Sequence, residues 1–228
     1  MKSSYVCNVA IDLEFTPVPR DLQQGGLRQE IIEVGAVKLA ADSSVAGEFS
    51  HMVKPAFATE VSGVVQRITG IHSEDLTCAR LLAEVLDALV TWIGPGRVRM
   101  VTWSDCDLKQ LRAECGVKGL EWRLPARWLD IQGLYPRLMD MSRRKVALGE
   151  AADWCGITNS EEALHRALYD AQLTSEIFRM MGAGECAAHK RAVEEKLSQG
   201  KKECAASLGE QCDGLAALLA QLRAKETA

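Results

Sequence analysis

No stretch of this sequence approaches the ~18–20 consecutive apolar residues that a membrane-spanning helix needs, so no bilayer segment is expected. The opening MKSSYVCNVAIDLEF carries one Lys but lacks a long apolar region and a small-residue cleavage site, and no secretory signal is expected. The eight cysteines (7, 78, 106, 115, 155, 186, 204 and 212) include no C-x-x-C pair, and no paired-His motif accompanies them. That scatter argues against a structural zinc site, which clusters its ligands. Internal repeats and low-complexity tracts are also missing. With 228 residues, 47% hydrophobic and 25% charged, the chain is neither disordered, collagen-like nor fibrous, and it is long enough for a core that needs no stapling. Its cysteines therefore read as free, mostly buried thiols in a reducing compartment. An intracellular, cytoplasmic protein is expected, with the nucleus open if the source is eukaryotic.

Formal charge is −4, from 27 basic and 31 acidic side chains. From Lys118 to Lys145, however, seven basic residues (Lys118, Arg123, Arg127, Arg137, Arg143, Arg144, Lys145) face three acids. Such a stretch is either a local polyanion contact or a solvated helical face.

Tyr5–Ile11 reads as a strand ending at Asp12, and 17–26 as a loop. Two more strands follow, Ile31–Leu39 and Glu48–Val53, separated by the turn formers Asp42, Ser43 and Ser44. Leu82, Val85, Leu86, Leu89, Val90 and Ile93 recur at three- and four-residue spacing, one apolar helical face closed by Gly94. A strand over Val98–Thr102, a helix over Leu108–Cys115 and a short strand over Trp128–Asp130 come next. Helical segments are expected over Ile131–Met139, Leu148–Cys155 and from about residue 165 to Met181. The pattern is α/β with a mixed sheet, three antiparallel strands plus two parallel ones. Residues 183–228 fall outside it as a helical extension. There Leu208, Cys212, Leu215, Leu219 and Leu222 repeat at 4-3-4-3 spacing over about two heptads, a face for docking on the chain's own domain or, second, for a homodimer contact.

Three places carry clustered acids where apolar elements should end plainly. Asp12 and Glu14 sit at i and i+2 of an extended segment, so both carboxylates leave the same side. A lone D-x-E pair also reads as a polar strand end. Asp105 and Asp107 open the helix after the fourth strand; Asp105 is expected to serve that helix start and Asp107 the chemistry. His165 stands five residues before Asp170 at the start of the last long helix. Four carboxylates brought to one point repel unless cations neutralise them. All-oxygen ligation suits two Mg²⁺ or Mn²⁺ ions, the known device for in-line cleavage of a phosphodiester, with a neutral His to take the proton of the attacking water.

The order D-x-E, D, H-x4-D resembles the DEDDh branch of the DnaQ-like 3′→5′ exonucleases, the group of ribonuclease T and oligoribonuclease. Four stretches carry the resemblance: VAIDLEFT, QRITGIHSEDL, TWSDCDLKQL and LHRALYDAQLTSEIF. Within that branch, S-x5-[LI]-T-G-I and W-x-D-x-D-x3-L are similar to the Eri/KapD-type subgroup that trims RNA 3′ ends. The resemblance spans about residues 5–182 and implies a ribonuclease H-like fold. It implies Asp12, Glu14, Asp107 and Asp170 as ligands of two Mg²⁺ or Mn²⁺, Asp12 bridging both, and His165 as general base. It further implies a shallow pocket for the 3′-terminal nucleotide lined by Phe15, Thr16, Ile68 and Thr69, with Cys106 and Arg166 as further contacts. Val64 and Cys106 are small where that subgroup often has aromatics, and Leu164 stands where relatives often have a second His. Since stacking a base on an aromatic is worth ~1–3 kcal/mol, the terminal base is held differently here. The expected activity is 3′→5′ hydrolysis of single-stranded RNA or 3′ overhangs to 5′-mononucleotides. A DNA-directed exonuclease of proofreading or repair type is the alternative, and a non-catalytic nucleic-acid-binding scaffold a third reading.

Overall fold

The computed structural model describes residues 5–139, 141, 145–160, 163–195 and 198. Six strands form the sheet: β1 (Cys7–Pro17), β2 (Gln29–Ala40), β3 (Val45–Lys54), β4 (Arg80–Leu81), β5 (Val98–Thr102) and β6 (Arg127–Asp130), in the order β4-β3-β2-β1-β5-β6. β1, β2 and β3 are an antiparallel meander, and β5 and β6 lie parallel to β1. The mixed sheet read from the sequence is present, with the two-residue β4 added beside β3. The turn between β2 and β3 forms where expected: the Asp42 carboxylate accepts from the N–H and hydroxyl of Ser44, and Ser43 adopts φ +70°.

Six helices flank the sheet among the described residues, besides the helical segment 185–195: α1 (Gly63–Thr69), α2 (Leu82–Ile93), α3 (Cys106–Val117), α4 (Tyr135–Leu138), α5 (Leu148–Trp154) and α6 (Ala167–Ala183). α1 has no counterpart in the sequence reading; the Ser62 hydroxyl caps it by accepting from Val65 N–H, and Gly70 closes it in the left-handed region. The helix expected over Ile131–Met139 shrinks to α4, because Pro136 fits only the first turn of a helix. The periodic face of α2 (Leu82, Val85, Leu86, Leu89, Ile93) packs with Leu111 and Cys115 of α3 on Val9, Ile11 and Leu13 of β1, one buried core. A second core joins Trp103, Tyr135, Ala151 and Cys155 to Leu173 and Ile177 of α6.

Two further sequence expectations change. β1 does not end at Asp12 but runs to Pro17, so both early acids lie inside a strand. The cysteines are not all free thiols: Cys155 is bonded to Cys186, which brings the helical segment 185–195 back onto α5 and α6. Cys7 and Cys115 are free and buried, Cys78 and Cys106 free and exposed. The Leu208–Leu222 stripe and its cysteines lie outside the described residues, as do Arg143 and Arg144. Among the described residues no helix is long and apolar enough to cross a membrane.

Candidate active site

The strand period places Asp12 and Glu14 together. Ile11 and Leu13, between and beside them, enter the core, and the two carboxylates leave the opposite face. β5 pairs with β1 only as far as Ala10↔Val101, so the β5-side backbone of β1 is open beyond that point. α3 fills the opening. Its Asp107, in the first turn and buried, takes the backbone N–H of Leu13 against its carboxyl. Asp105 sits at the N-cap of α3 without making a capping bond; its carboxylate pairs instead with Lys109 one turn on.

The fourth acid arrives from the other side, through a contact only glycine permits. Gly35 lies opposite Asp12 in the β1–β2 ladder. A Cβ there would stand 2.1 Å from the Ala167 carbonyl carbon and the Leu168 nitrogen, so the first turn of α6 rests directly on the sheet. Asp170, one turn in, is thereby buried beside β1. Glu33, opposite Glu14 in the same ladder and itself buried, fixes that turn: its carboxylate accepts from the Ala167 N–H (3.0 Å) and from Arg166 Nε (3.2 Å) and Nη2 (2.9 Å). A carboxylate at a helix start also offsets the dipole. Glu33 and Gly35 were not singled out from the sequence, although an acid inside the run IIEVGAVKL was a visible signal.

His165 precedes this helix with φ +65°, a left-handed conformation unusual for a residue with a side chain. Its N–H donates to Asp170 Oδ2 at 3.2 Å. The ring is exposed, and one ring nitrogen lies within 4.8 Å of carboxylate oxygens of both Glu14 and Asp170.

Burial is the main reason that these carboxyls resist ionisation, and their mutual repulsion adds to it. Asp12 is driven well above the usual carboxylate range by burial, then by Asp107, Asp170, Glu14 and Glu33. Glu14 is pushed up to about 8 by burial and by Asp170, Glu33 and Asp107. Burial raises Asp107 to about 7 against the pull of two backbone N–H groups, and Asp170 to about 6 against the N–H and charge of His165. Asp170 Oδ1 is buried with no hydrogen-bond partner among the described residues. Oxygen-only donors, like charges and an orphaned buried oxygen are what hard divalent cations satisfy, and these residues fit them.

Of the expected nucleotide contacts, Ile68 is exposed on α1, one turn from the equally exposed Val64. Phe15 packs partly into the core, and Cys106 is exposed at the start of α3. The Thr16 hydroxyl is buried and accepts from Ser62 N–H, tying the end of β1 to α1; the Thr69 hydroxyl binds Val65 O and Ile71 N–H. Both threonines thus have internal partners. Arg166 is exposed beside Glu14 and held by Glu33. The described members of the basic stretch do not form one face: Lys118 is half-buried between Glu30 and Glu114, Arg123 pairs with Asp87, and exposed Lys145 lies close enough to bear on Asp105.

Residues 9–178 match the RNase_T family model, described as an exonuclease. No curated protein matches the chain by sequence. Among solved structures, a full-length 3′-exonuclease is 21% identical with a TM-score of 0.69, over 80% of this chain and 84% of that one. The nuclease domain of 3′hExo, a DEDDh family member bound to rAMP, is 22% identical with a TM-score of 0.68, over 82% and 96%. Exonuclease I of E. coli in complex with a dT13 oligonucleotide is 14% identical with a TM-score of 0.60, over 84% and 43%. At these identities the likeness is one of fold, the ribonuclease H-like mixed sheet.

Proposed function

The chain belongs to the RNase T exonuclease family, and we propose that it is a divalent-metal-dependent 3′→5′ exonuclease removing 5′-mononucleotides from single-stranded RNA or 3′ overhangs. The observation that carries this reading is the acidic cluster: ligand atoms of Glu14, His165 and Asp170 lie within 4.8 Å of one another, Asp12 lies in the field of Glu14, Asp107 and Asp170, and a buried Asp170 oxygen is left unpartnered. Asp12, Glu14, Asp107 and Asp170 would hold the cations, and two Mg²⁺ or Mn²⁺ held there would supply Lewis acidity at the scissile phosphate.

The chain's own groups do the rest. His165, aimed by its left-handed turn at the edge of the acidic cluster, takes the proton of the attacking water, a task for which imidazole is suited near neutral pH. Glu33 and Gly35 hold the first turn of α6 on the sheet, which keeps Asp170 and His165 in register with Asp12 and Glu14. Arg166, anchored at two nitrogens by Glu33, presents its remaining guanidinium edge to a phosphate oxygen. Exposed Val64 and Ile68 offer an apolar surface to the terminal nucleotide in place of aromatics. The catalytic unit is residues 1–182, and 183–228 is an appended extension whose first helix rests on α5 and α6 through Cys186.

The preference for RNA is supported by the neighbours. The 3′-exonuclease that recognises a histone mRNA stem-loop and the rAMP-bound nuclease domain superpose more closely, with TM-scores of 0.69 and 0.68, than the DNA-bound Exonuclease I at 0.60, of which this chain spans under half. End-labelled RNA and DNA of matched sequence, incubated with Mg²⁺ or Mn²⁺, test the reading. An RNA ladder shortening one nucleotide at a time from a free 3′-OH is expected, with a 3′-phosphate blocking it. A ladder on DNA alone makes the enzyme a deoxyribonuclease, and cleavage of circular substrates as fast as linear ones removes the exonuclease assignment.

A further inference from the structure

Two adjoining cavities open at the end of the sheet remote from the acids. The first, about 370 Å³, lies between the α2–β5 loop and the start of β6, and Arg97, Arg123 and Arg127 line it with Gly94, Pro95 and Gly96. The second, about 260 Å³, is lined by Leu86, Leu120 and Trp122, and shares Val90 and Arg123 with the first. Their position follows from the sheet. β5 and β6 run parallel to β1, and Cys7 pairs with Val98, next to Arg97. Asp12 is five residues further along the same strand, about 17 Å away at the rise of an extended chain.

The charge balance there is the reverse of that at the acids. No carboxylate lines the larger cavity. Of its three guanidinium groups, Arg123 is neutralised by Asp87 and Arg97 lies over the ring of Tyr5. Arg127 is exposed and has neither ion pair nor hydrogen bond among the described residues. A protein of net charge −4 thus gathers an excess of positive charge around one concavity. Guanidinium groups are planar forks that match phosphate oxygens two at a time. The neighbouring cavity, where Asp87 and Glu121 stand among Leu86, Leu120 and Leu124, adds the edge of the Trp122 indole, which Arg112 approaches at 5.5 Å and Trp128 at 6.1 Å. Indole beside a cationic groove is how single strands are held without regard to sequence.

We propose that the paired cavities are a second nucleotide-binding site, taking a phosphodiester among Arg97, Arg123 and Arg127 and its base beside Trp122. The occupant is an upstream unit of the same single strand whose 3′ end lies at the acids, so the inference rests on the nucleic-acid substrate proposed above. The span sets a length requirement. The acids leave the face of β1 opposite the one that α2 covers, whereas α2 residues line both cavities, so a strand must pass around the sheet: a trinucleotide at the acids is too short for that path and a strand of twenty is not. Free 5′-mononucleotide, the product, carries the same chemistry and is the other source to be distinguished.

The test uses the full chain and the pair Arg97→Ala with Arg127→Ala, neither residue belonging to the acidic site. Affinity for a fluorescent 20-nucleotide single strand is read by anisotropy in a chelator, where no cleavage intervenes, across a salt series; kinetics follow with Mg²⁺. The pair should weaken 20-mer binding about tenfold and lower the salt slope by about 0.7 for each phosphate that is no longer neutralised. It should raise KM for the 20-mer with kcat unchanged, and leave trinucleotide hydrolysis as it was. Arg127→Glu alone, at a side chain with no partner to lose, should weaken the 20-mer more than Arg127→Lys. Unchanged 20-mer affinity and salt slope in both Arg97→Ala/Arg127→Ala and Arg127→Glu overturn the proposal. Loss of 5′-AMP binding with the 20-mer unaffected overturns it too, assigning the cavities to free nucleotide. Because anisotropy needs no turnover, a chain that binds but cleaves nothing would refute the exonuclease reading without touching this one.

Discussion

Two groups of carboxylates, one buried and the other half-buried along β1, share the central sheet of this molecule, and the fold supplies a cation to only one of them. Glu30, at the start of β2, is fully buried, yet the Lys118 ammonium and the N–H groups of Ala56, Phe57 and Ala58 outweigh burial and hold its carboxyl below the ordinary range. Glu114 shares the same Lys118 and accepts from Ile31 N–H and Gln110. Glu14 and Asp12 lie one strand away with carboxylates for neighbours, and their ionisation is suppressed. Burial alone therefore does not mark a functional acid. What separates the groups is whether the fold supplies the cation: at Glu30 and Glu114 it does, with Lys118, and at Asp12 and Glu14 it does not.

That contrast is broken most sharply by removing one charge from each side. Asp12→Asn should abolish cleavage while leaving the metal-free protein as stable as before or more so, because one member of a repelling set is gone. Cleavage assays on end-labelled substrate with Mg²⁺, alongside thermal melts in chelator, read both effects. Full activity in this variant would mean that the cluster is not the catalytic centre.

The second effect is smaller on activity and larger on folding. Lys118→Met keeps the length of the stem and deletes the ammonium, leaving Glu30 and Glu114 buried with only neutral N–H donors for partners. Breaking a buried pair in this way costs ~3–5 kcal/mol, read by urea denaturation. Glu30 also secures the segment 56–58, which leads to Ser62 and α1, so KM should rise in this variant before kcat falls. A melting midpoint equal to that of the parent would show that water reaches these acids and that the two groups do not differ as described.

The same contrast explains what the sequence made legible. Asp12, Glu14, Asp107 and Asp170 could be picked out because acids at the edges of apolar elements violate a local pattern, and local patterns are visible in one dimension. Strands β1 to β3 and helix α2 were visible for the same reason. Glu30, Glu33 and Glu114 break the pattern as plainly, but their meaning lies in partners far along the chain: Arg166 stands 133 residues from Glu33, and Ile31 83 residues from Glu114. Gly35 looked like a small residue in a strand until α6 was seated on it. α1 is too short for periodicity to register, and the Cys155–Cys186 bond joins residues whose approach depends on how segment 185–195 packs.

The finest consequence of the contrast is a pH dependence of opposite sign at the acidic cluster and at Glu30. With Glu14 held up to about 8, Asp107 to about 7 and Asp170 to about 6, the folded metal-free protein binds more protons than the unfolded chain between the ordinary carboxylate range near pH 4 and about pH 8. Their contribution to stability is therefore complete below pH 4 and is lost as pH rises through 6, 7 and 8. Glu30, whose carboxyl is held low, contributes in the other direction, but its loss lies below its ordinary range and does not interfere above pH 5. Two groups do overlap the window. Glu114 is raised by burial and adds to the decline, while His51, lowered by burial and by Arg80, opposes it. Melting temperature in chelator should accordingly fall between pH 5 and 8, by about 2–4 °C for each kcal/mol lost in a chain of this size. Mn²⁺ or Mg²⁺ should flatten or reverse the slope, because cations bind the ionised carboxylates and compensate what Lys118 compensates at Glu30. Glu14→Gln should flatten it without metal, which Glu114 and His51 cannot mimic. A slope unchanged both by cations and by Glu14→Gln would place the titrating groups elsewhere and leave the acidic cluster electrostatically no different from the satisfied one.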